Sequence, residues 1–234
     1  MIGSARSDER GKIIGGKAGD QTSREVSTQS YYVHSKGWVL LRAKENEIGN
    51  GIASAMIDAC ANENIGYDQG QRDSIVSLFK KTKKLSEIDK ACECDCSKLI
   101  QLCVWEATGK DPGNFTTASA VSVLSKTGYF EPAVDVTKDT VLYTGDILCT
   151  KTKGHIVAVT KGKARSSKKE KYVTTANLNV RSGAGIDKDR LGTLKKGTTC
   201  TVLSKGHEVN GVEWFKVESS ALTGFVSSKY LSKK

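Results

Sequence analysis

Residues 161–171, Lys-Gly-Lys-Ala-Arg-Ser-Ser-Lys-Lys-Glu-Lys, contain six basic side chains and no large apolar one. A segment of this composition adds nothing to a core, so it reads as a linker between two parts that must each bury their own. Charge follows the same division. Residues 1–160 carry 20 Lys+Arg against 20 Asp+Glu, and residues 161–234 carry 16 against 6, so the whole net charge of +10 lies in the last third. A neutral first part and a basic second part point to two domains, the second suited to an anionic partner such as a nucleic acid, an acidic membrane or a teichoic-acid-bearing wall.

No window of about 18 apolar residues is present for a membrane span. The first residues, with Arg6, Asp8, Glu9, Arg10 and Lys12, offer no apolar core for a signal peptide. These features predict a soluble protein synthesised in the cytoplasm without a signal peptide, and no membrane insertion. Seven cysteines, an odd number with six before residue 150, fit free thiols better than a disulfide framework.

Periodicity orders the first part. Residues 1–25 are polar and glycine-rich and predict an irregular entry. Trp38-Val39-Leu40-Leu41 reads as a short strand or turn. Ile52, Ala55, Met56, Ala59 and Cys60 recur at helical spacing over 50–63, and Ile75, Leu78 and Phe79 do so over 71–81. Ile65 to Gly70 between them reads as a polar loop, and 80–90 as a solvated charged connector. A third helix follows Cys96, and a fourth is expected over 116–125. Short strands then come at 141–143, 146–149 and 155–160. Helices followed by strands predict an α+β domain. From Tyr172 onward short alternating strands and turns predict a small β-barrel.

The chemistry concentrates in Ala91-Cys92-Glu93-Cys94-Asp95-Cys96-Ser97, which runs into the apolar segment Leu99 to Trp105. A thiol at a helix start faces unpaired backbone N–H groups and the positive end of the helix dipole, which favour thiolate. Cys-x-Cys-x-Cys without a second pair elsewhere is a poor structural zinc pattern, so no metal is expected. A nucleophile needs a base, and the first part holds only His34 and His155. His155 follows Gly154 and opens the apolar run Ile156 to Val159, which would set an imidazole at a strand end. Asp95 has the residue type and position of a helix N-cap.

Asp95-Cys96-Ser97 with its helix, then Tyr143-Thr144-Gly145-Asp146-Ile147-Leu148, then Gly154-His155-Ile156-Val157-Ala158-Val159, resembles in order and spacing the NlpC-type cysteine peptidases and their CHAP amidohydrolase relatives. The set also resembles the enzymatic half of phage and prophage lysins, through Gly19-Asp20-Gln21 and Ile65-Gly66-Tyr67-Asp68-Gln69. The resemblance implies an α+β papain-like catalytic domain over 1–160, in which Cys96 attacks an amide carbonyl of peptidoglycan and His155 takes its proton. It further implies that Asp95, Ser97 and Tyr67 help to hold substrate. The family orients its histidine with a polar residue on a following strand, but here the linker follows. Asp20 and Gln21 are the candidates for that role, or a backbone carbonyl serves. Thiol–imidazole chemistry needs no cofactor.

Leu178-Asn179-Val180-Arg181-Ser182-Gly183, Leu194-Lys195-Lys196-Gly197, Glu213-Trp214-Phe215-Lys216-Val217 and Gly224-Phe225-Val226 resemble a bacterial SH3 domain, a small all-β SH3-like barrel over 172–234. The resemblance implies binding to the cell wall, where peptidoglycan and anionic wall polymers are the expected partners. Trp214 and Phe225 are expected as barrel packing. Together these resemblances imply a peptidoglycan hydrolase, an endopeptidase or N-acetylmuramoyl-L-alanine amidase, that reaches the wall after release through a holin or lysis. The alternative is a non-catalytic wall-binding protein with a degenerate enzyme-like domain. Nucleic-acid binding by the basic part is disfavoured, because its aromatics sit in strand positions and form no evident stacking array.

Overall fold

The computed structural model describes residues 1–20, 25–164 and 170–234. Contacts divide the chain into two units, residues 1–165 and 166–234. In chain order the first unit runs β1 (Ile2–Ala5), β2 (Val26–Gln29), β3 (Trp38–Leu41), α1 (Asn46–Ala61), β4 (Ile65–Tyr67), α2 (Ser74–Thr82), β5 (Cys92–Cys94), α3 (Cys96–Thr108), α4 (Ala120–Lys126), β6 (Val134–Asp135), β7 (Ile147–Thr150) and β8 (Ile156–Val159).

The helices follow their apolar spacing. Ile52, Ala55, Met56 and Ala59 are the buried face of α1, and Ile75 and Phe79, four residues apart, that of α2. Helix α3 is buried at every position from Cys96 to Val104, so it runs through the middle of the unit. One sheet of order β2-β1-β8-β7-β3-β6 lies against it, with antiparallel neighbours. Ile156 and Ala158 of β8 join the core formed with α1 and α3. Val157 and Val159 alternate to the other face, with Ile2, Trp38, Leu40 and Leu148.

Five local expectations are corrected. Residues 1–25 are not uniformly irregular: Ile2–Ala5 is an interior strand between β2 and β8, buried along its length. Its small residues serve that position, because a Cβ on Gly3 would lie 2.6 Å from Met56 Cγ. Ile65–Tyr67 is not a loop but a strand, parallel to β5 with Gly66 opposite Glu93. The 80–90 connector is anchored by buried Leu85 and Ile88. The helix expected over 116–125 is confined to Ala120–Lys126. Residues 141–143 form no strand beyond one bridge, Tyr143 to Lys163.

Turn 143–146 feeds β7 and is fixed by charge. Buried Asp146 takes both Nε and Nη2 of Arg42, at 3.0 and 2.6 Å, and the Tyr143 amide at 2.8 Å. Gly145 is required there: φ is +84°, and a Cβ would fall 1.9 Å from the Gly49 carbonyl oxygen.

The second unit is all β, with β9 (Lys171–Thr174), β10 (Leu178–Arg181), β11 (Arg190–Leu194), β12 (Thr199–Val209), β13 (Val212–Glu218), β14 (Thr223–Ser227) and β15 (Leu231–Lys233) in the order β11-β10-β14-β13-β12-β9-β15. Leu178, Val180, Leu194, Cys200, Phe215, Val217 and Val226 form its core. Trp214 is buried. Phe225 is half-buried, edge-on to His207 at 5.1 Å between centroids. The ends of the linker-like segment take part in both units: Lys163 pairs with Tyr143, and Glu170 holds Lys205 and Lys233. No helix among the described residues is long and apolar enough to cross a membrane.

Candidate active site

Strand β5 delivers the chain to Asp95, whose extended backbone and side chain open α3. Its Oδ1 accepts from the Lys98 amide at 2.6 Å and from the Ser97 hydroxyl at 2.9 Å. Its Oδ2 pairs with Arg72 Nε at 2.7 Å. Arg72 in turn donates from Nη2 to Ser97 Oγ and to the Phe115 carbonyl. Asp95 therefore acts as the cap, and both it and Ser97 are buried and engaged within the protein. These contacts make Asp95 and Ser97 part of the frame that holds the start of α3. Sequence patterning missed Arg72, which lies in the turn before α2 and carries no motif of its own.

Cys96 occupies the first position of α3 and is 5% exposed. The backbone N–H groups of Ser97 and of Ile156, the residue after His155, point at its sulfur and favour thiolate. Burial and the neighbouring Asp95 carboxylate act more strongly the other way, and the thiol is pushed up to about 12. The expected thiolate of a helix N-terminus is thus overridden by desolvation. Cys92 and Cys94 are occupied with β4: their thiols face the carbonyls of Asn64 and Gly66. All seven cysteines are free.

His155 immediately precedes β8 and is half-buried. Its Nε2 lies 3.2 Å from the Ser4 hydroxyl, on the strand next to β8. Burial, with His34 and Arg6 nearby, brings the imidazole down to about 4, so it is neutral at neutral pH. No hydrogen bond among the described residues joins it to Cys96; the amide of the next residue, Ile156, points at the sulfur. Trp38 meets both Tyr32 and His34 edge to face, with His34 and Trp38 centroids 5.1 Å apart, and Tyr32 and His34 are tilted to one another. Tyr67 is buried, its hydroxyl accepting from Gln69 Nε2 at 3.1 Å. Burial and then the Cys96 thiol raise its pKa, which places the ring beside the cysteine.

Asp20, expected as an orienting group for His155, is gathered instead with Glu9 and Glu25: one carboxylate oxygen of each lies within 4.8 Å of the others. Gln21 lies outside the described residues. The residue that does touch the imidazole, Ser4, was hidden in the stretch read as irregular. A second residue missed in sequence is Lys98, an ammonium buried in α3 and held by Asp73, Gln101 and Asn114 at 2.8, 2.8 and 2.9 Å.

A family model described as "Endolysin-like domain" matches residues 2–165, the whole of the first unit that carries this geometry. The chain belongs to the endolysin-like domain family. In this endolysin-like protein a second model, "Bacterial SH3 domain", matches residues 176–232. A protein named "Probable endopeptidase p60" from Listeria monocytogenes is 44% identical over 72 residues, 30% of this chain and 14% of that protein. Its namesake from Listeria seeligeri is 48% identical over 67 residues, 28% of this chain and 12% of that protein. The endolysin-like protein thus spans a small part of the length of these curated relatives. No solved structure matches it.

Proposed function

We propose that this endolysin-like protein is a peptidoglycan hydrolase whose first unit cuts an amide bond of the wall by a cysteine–histidine mechanism on a papain-like framework. The observation that carries the reading is Cys96 at the capped start of the buried helix α3, facing the amide that follows His155, inside the matched family region. The relatives named for endopeptidase activity support the same reaction class.

The chemistry starts from a neutral thiol and a neutral imidazole. When Ser4 Oγ, 3.2 Å from Nε2, accepts from Nε2–H, the Nδ1 lone pair is free to take the thiol proton. As the sulfur adds to the substrate carbonyl, that proton moves to Nδ1 and then to the leaving amine, giving an acyl-enzyme. Water, deprotonated by the same imidazole, attacks the acyl carbon and restores the thiol. The thiol–imidazole contact forms in the substrate complex, as catalytic hydrogen bonds often tighten only there. Tyr67 lies beside the cysteine. The second unit, with its basic surplus and SH3-type match, holds the enzyme to peptidoglycan and its anionic polymers.

Mass spectrometry of muropeptides released from purified walls tests this reading. New free amino groups without new reducing sugar ends are expected, and the masses name the bond. New reducing ends would make the enzyme a glycosidase, and wall binding with no released fragments would make it a binder alone.

A further inference from the structure

On the side of the β4–β5 pair three carboxylates converge and a fourth faces one of them, and among the described residues Arg10 is the cation paired with them. Glu9, Asp20 and Glu25 each place an oxygen within 4.8 Å of the others. Glu93 approaches from β5: both its oxygens and Oε2 of Glu25 lie 2.8–2.9 Å from the point a Cβ on Gly66 would occupy. The glycine leaves the room in which these carboxylates face one another.

Glu93 is 0% exposed, and neither of its carboxylate oxygens has a hydrogen-bond partner among the described residues. Oε2 of Glu9 is likewise buried, with no cation or N–H donor on it among the described residues. The remaining partners are few. Glu25 accepts from the Tyr67 amide at 2.5 Å and the Glu9 amide at 3.1 Å. Asp20 accepts from the Lys17 amide at 3.2 Å. Arg10, half exposed, reaches Glu9 at 3.2 Å and is shared with Asp8. Asp68, next to the group, is satisfied by the amides of Gly15, Gly16 and Gln71. A buried carboxylate with no donor costs several kcal/mol, roughly, unless a cation or a proton meets it.

We propose that Glu9, Asp20, Glu25 and Glu93 form a binding site for one hard divalent cation of the calcium class. An all-oxygen, carboxylate-only donor set suits such an ion, and the thiols of Cys92 and Cys94 are turned to backbone carbonyls and take no part. The ion has a structural consequence. It fastens the segment carrying Glu9, Asp20 and Glu25 to β5, three residues before Cys96, and so braces the start of α3. The site stands independently of the hydrolase reading, since it concerns binding and stability.

Isothermal titration calorimetry of the chelator-treated full chain with CaCl2, and in parallel with MgCl2 and ZnCl2, tests it. One Ca2+ per chain is expected, with Kd at or below about 1 mM and a higher Tm in calcium than in chelator. Glu93→Gln and, at a less buried position, Glu9→Gln should each weaken binding at least tenfold, while Asp135→Asn on β6 leaves it unchanged. No saturable heat and no Tm shift up to about 10 mM Ca2+, binding of Zn2+ alone, or Ca2+ binding unaltered by Glu9→Gln would each overturn the proposal.

Discussion

The Ser4 hydroxyl lies 3.2 Å from Nε2 of His155, across a separation of 151 residues, because the first strand of the chain pairs with the strand that His155 begins. The group beside the histidine therefore comes from the opposite end of the domain from the one where a following strand would supply it. Replacing it removes one hydrogen bond of about 1 kcal/mol. Ser4→Ala should lower kcat on peptidoglycan roughly fivefold to tenfold with KM little changed, and Ser4→Thr should recover part of the loss. An unchanged kcat in Ser4→Ala would remove the positioning role.

The state of the two reacting groups sets a pH signature. With Cys96 pushed up to about 12 by burial and Asp95, iodoacetamide should label it slowly at pH 7, read by peptide mass spectrometry, and steadily faster toward alkaline pH. Asp95→Asn keeps a capping side chain but removes the charge, so labelling should quicken.

His155 links acidity to stability. The unfolded chain protonates this imidazole near its ordinary pKa of 6.5 and the folded chain only near about 4, so acidification between those values favours unfolding. Replacing it by Gln should flatten the fall of Tm over that window. The neighbouring Arg6 and His34 oppose the proton as well, so Arg6→Gln should raise the folded-state value toward 6.5, making the fall smaller and ending it at a higher pH.

Two structural positions are expected to be costly. Asp95→Ala removes the cap of α3, about 0.5–2 kcal/mol, and strands Arg72 against a partly buried gap, so urea denaturation should show a loss of about 3 kcal/mol or more. Gly145→Ala meets both a φ of +84° and the Gly49 carbonyl. The backbone strain alone is about 1–3 kcal/mol, and the overlap adds to it.

The parts of the molecule that repeat a pattern were legible in sequence. The capped cysteine helix, the apolar strand after His155, α1 and the strand-rich second unit all follow from spacing and turn residues. The pieces that complete the site were not. Ile2–Ala5 is buried on both faces and so shows no alternation, and its partner lies more than 150 residues away. Ile65–Tyr67 gains strand character only by pairing with Cys92–Cys94. Arg72 and Lys98 look like surface cations until the carboxylates and amides that hold them are seen. The acidic cluster is likewise spread over residues 9, 20, 25 and 93, so no local motif announces it.

Cys96, among three neighbouring thiols, is the proposed nucleophile of a wall-cutting enzyme. Release of amino groups from purified peptidoglycan by Cys96→Ala, Cys92→Ala and Cys94→Ala, each checked for an unfolding transition like that of the parent, tests that role most directly. Release should fall to background in Cys96→Ala, with the other two variants retaining activity in proportion to their folding. Undiminished release by a folded Cys96→Ala protein would contradict that role.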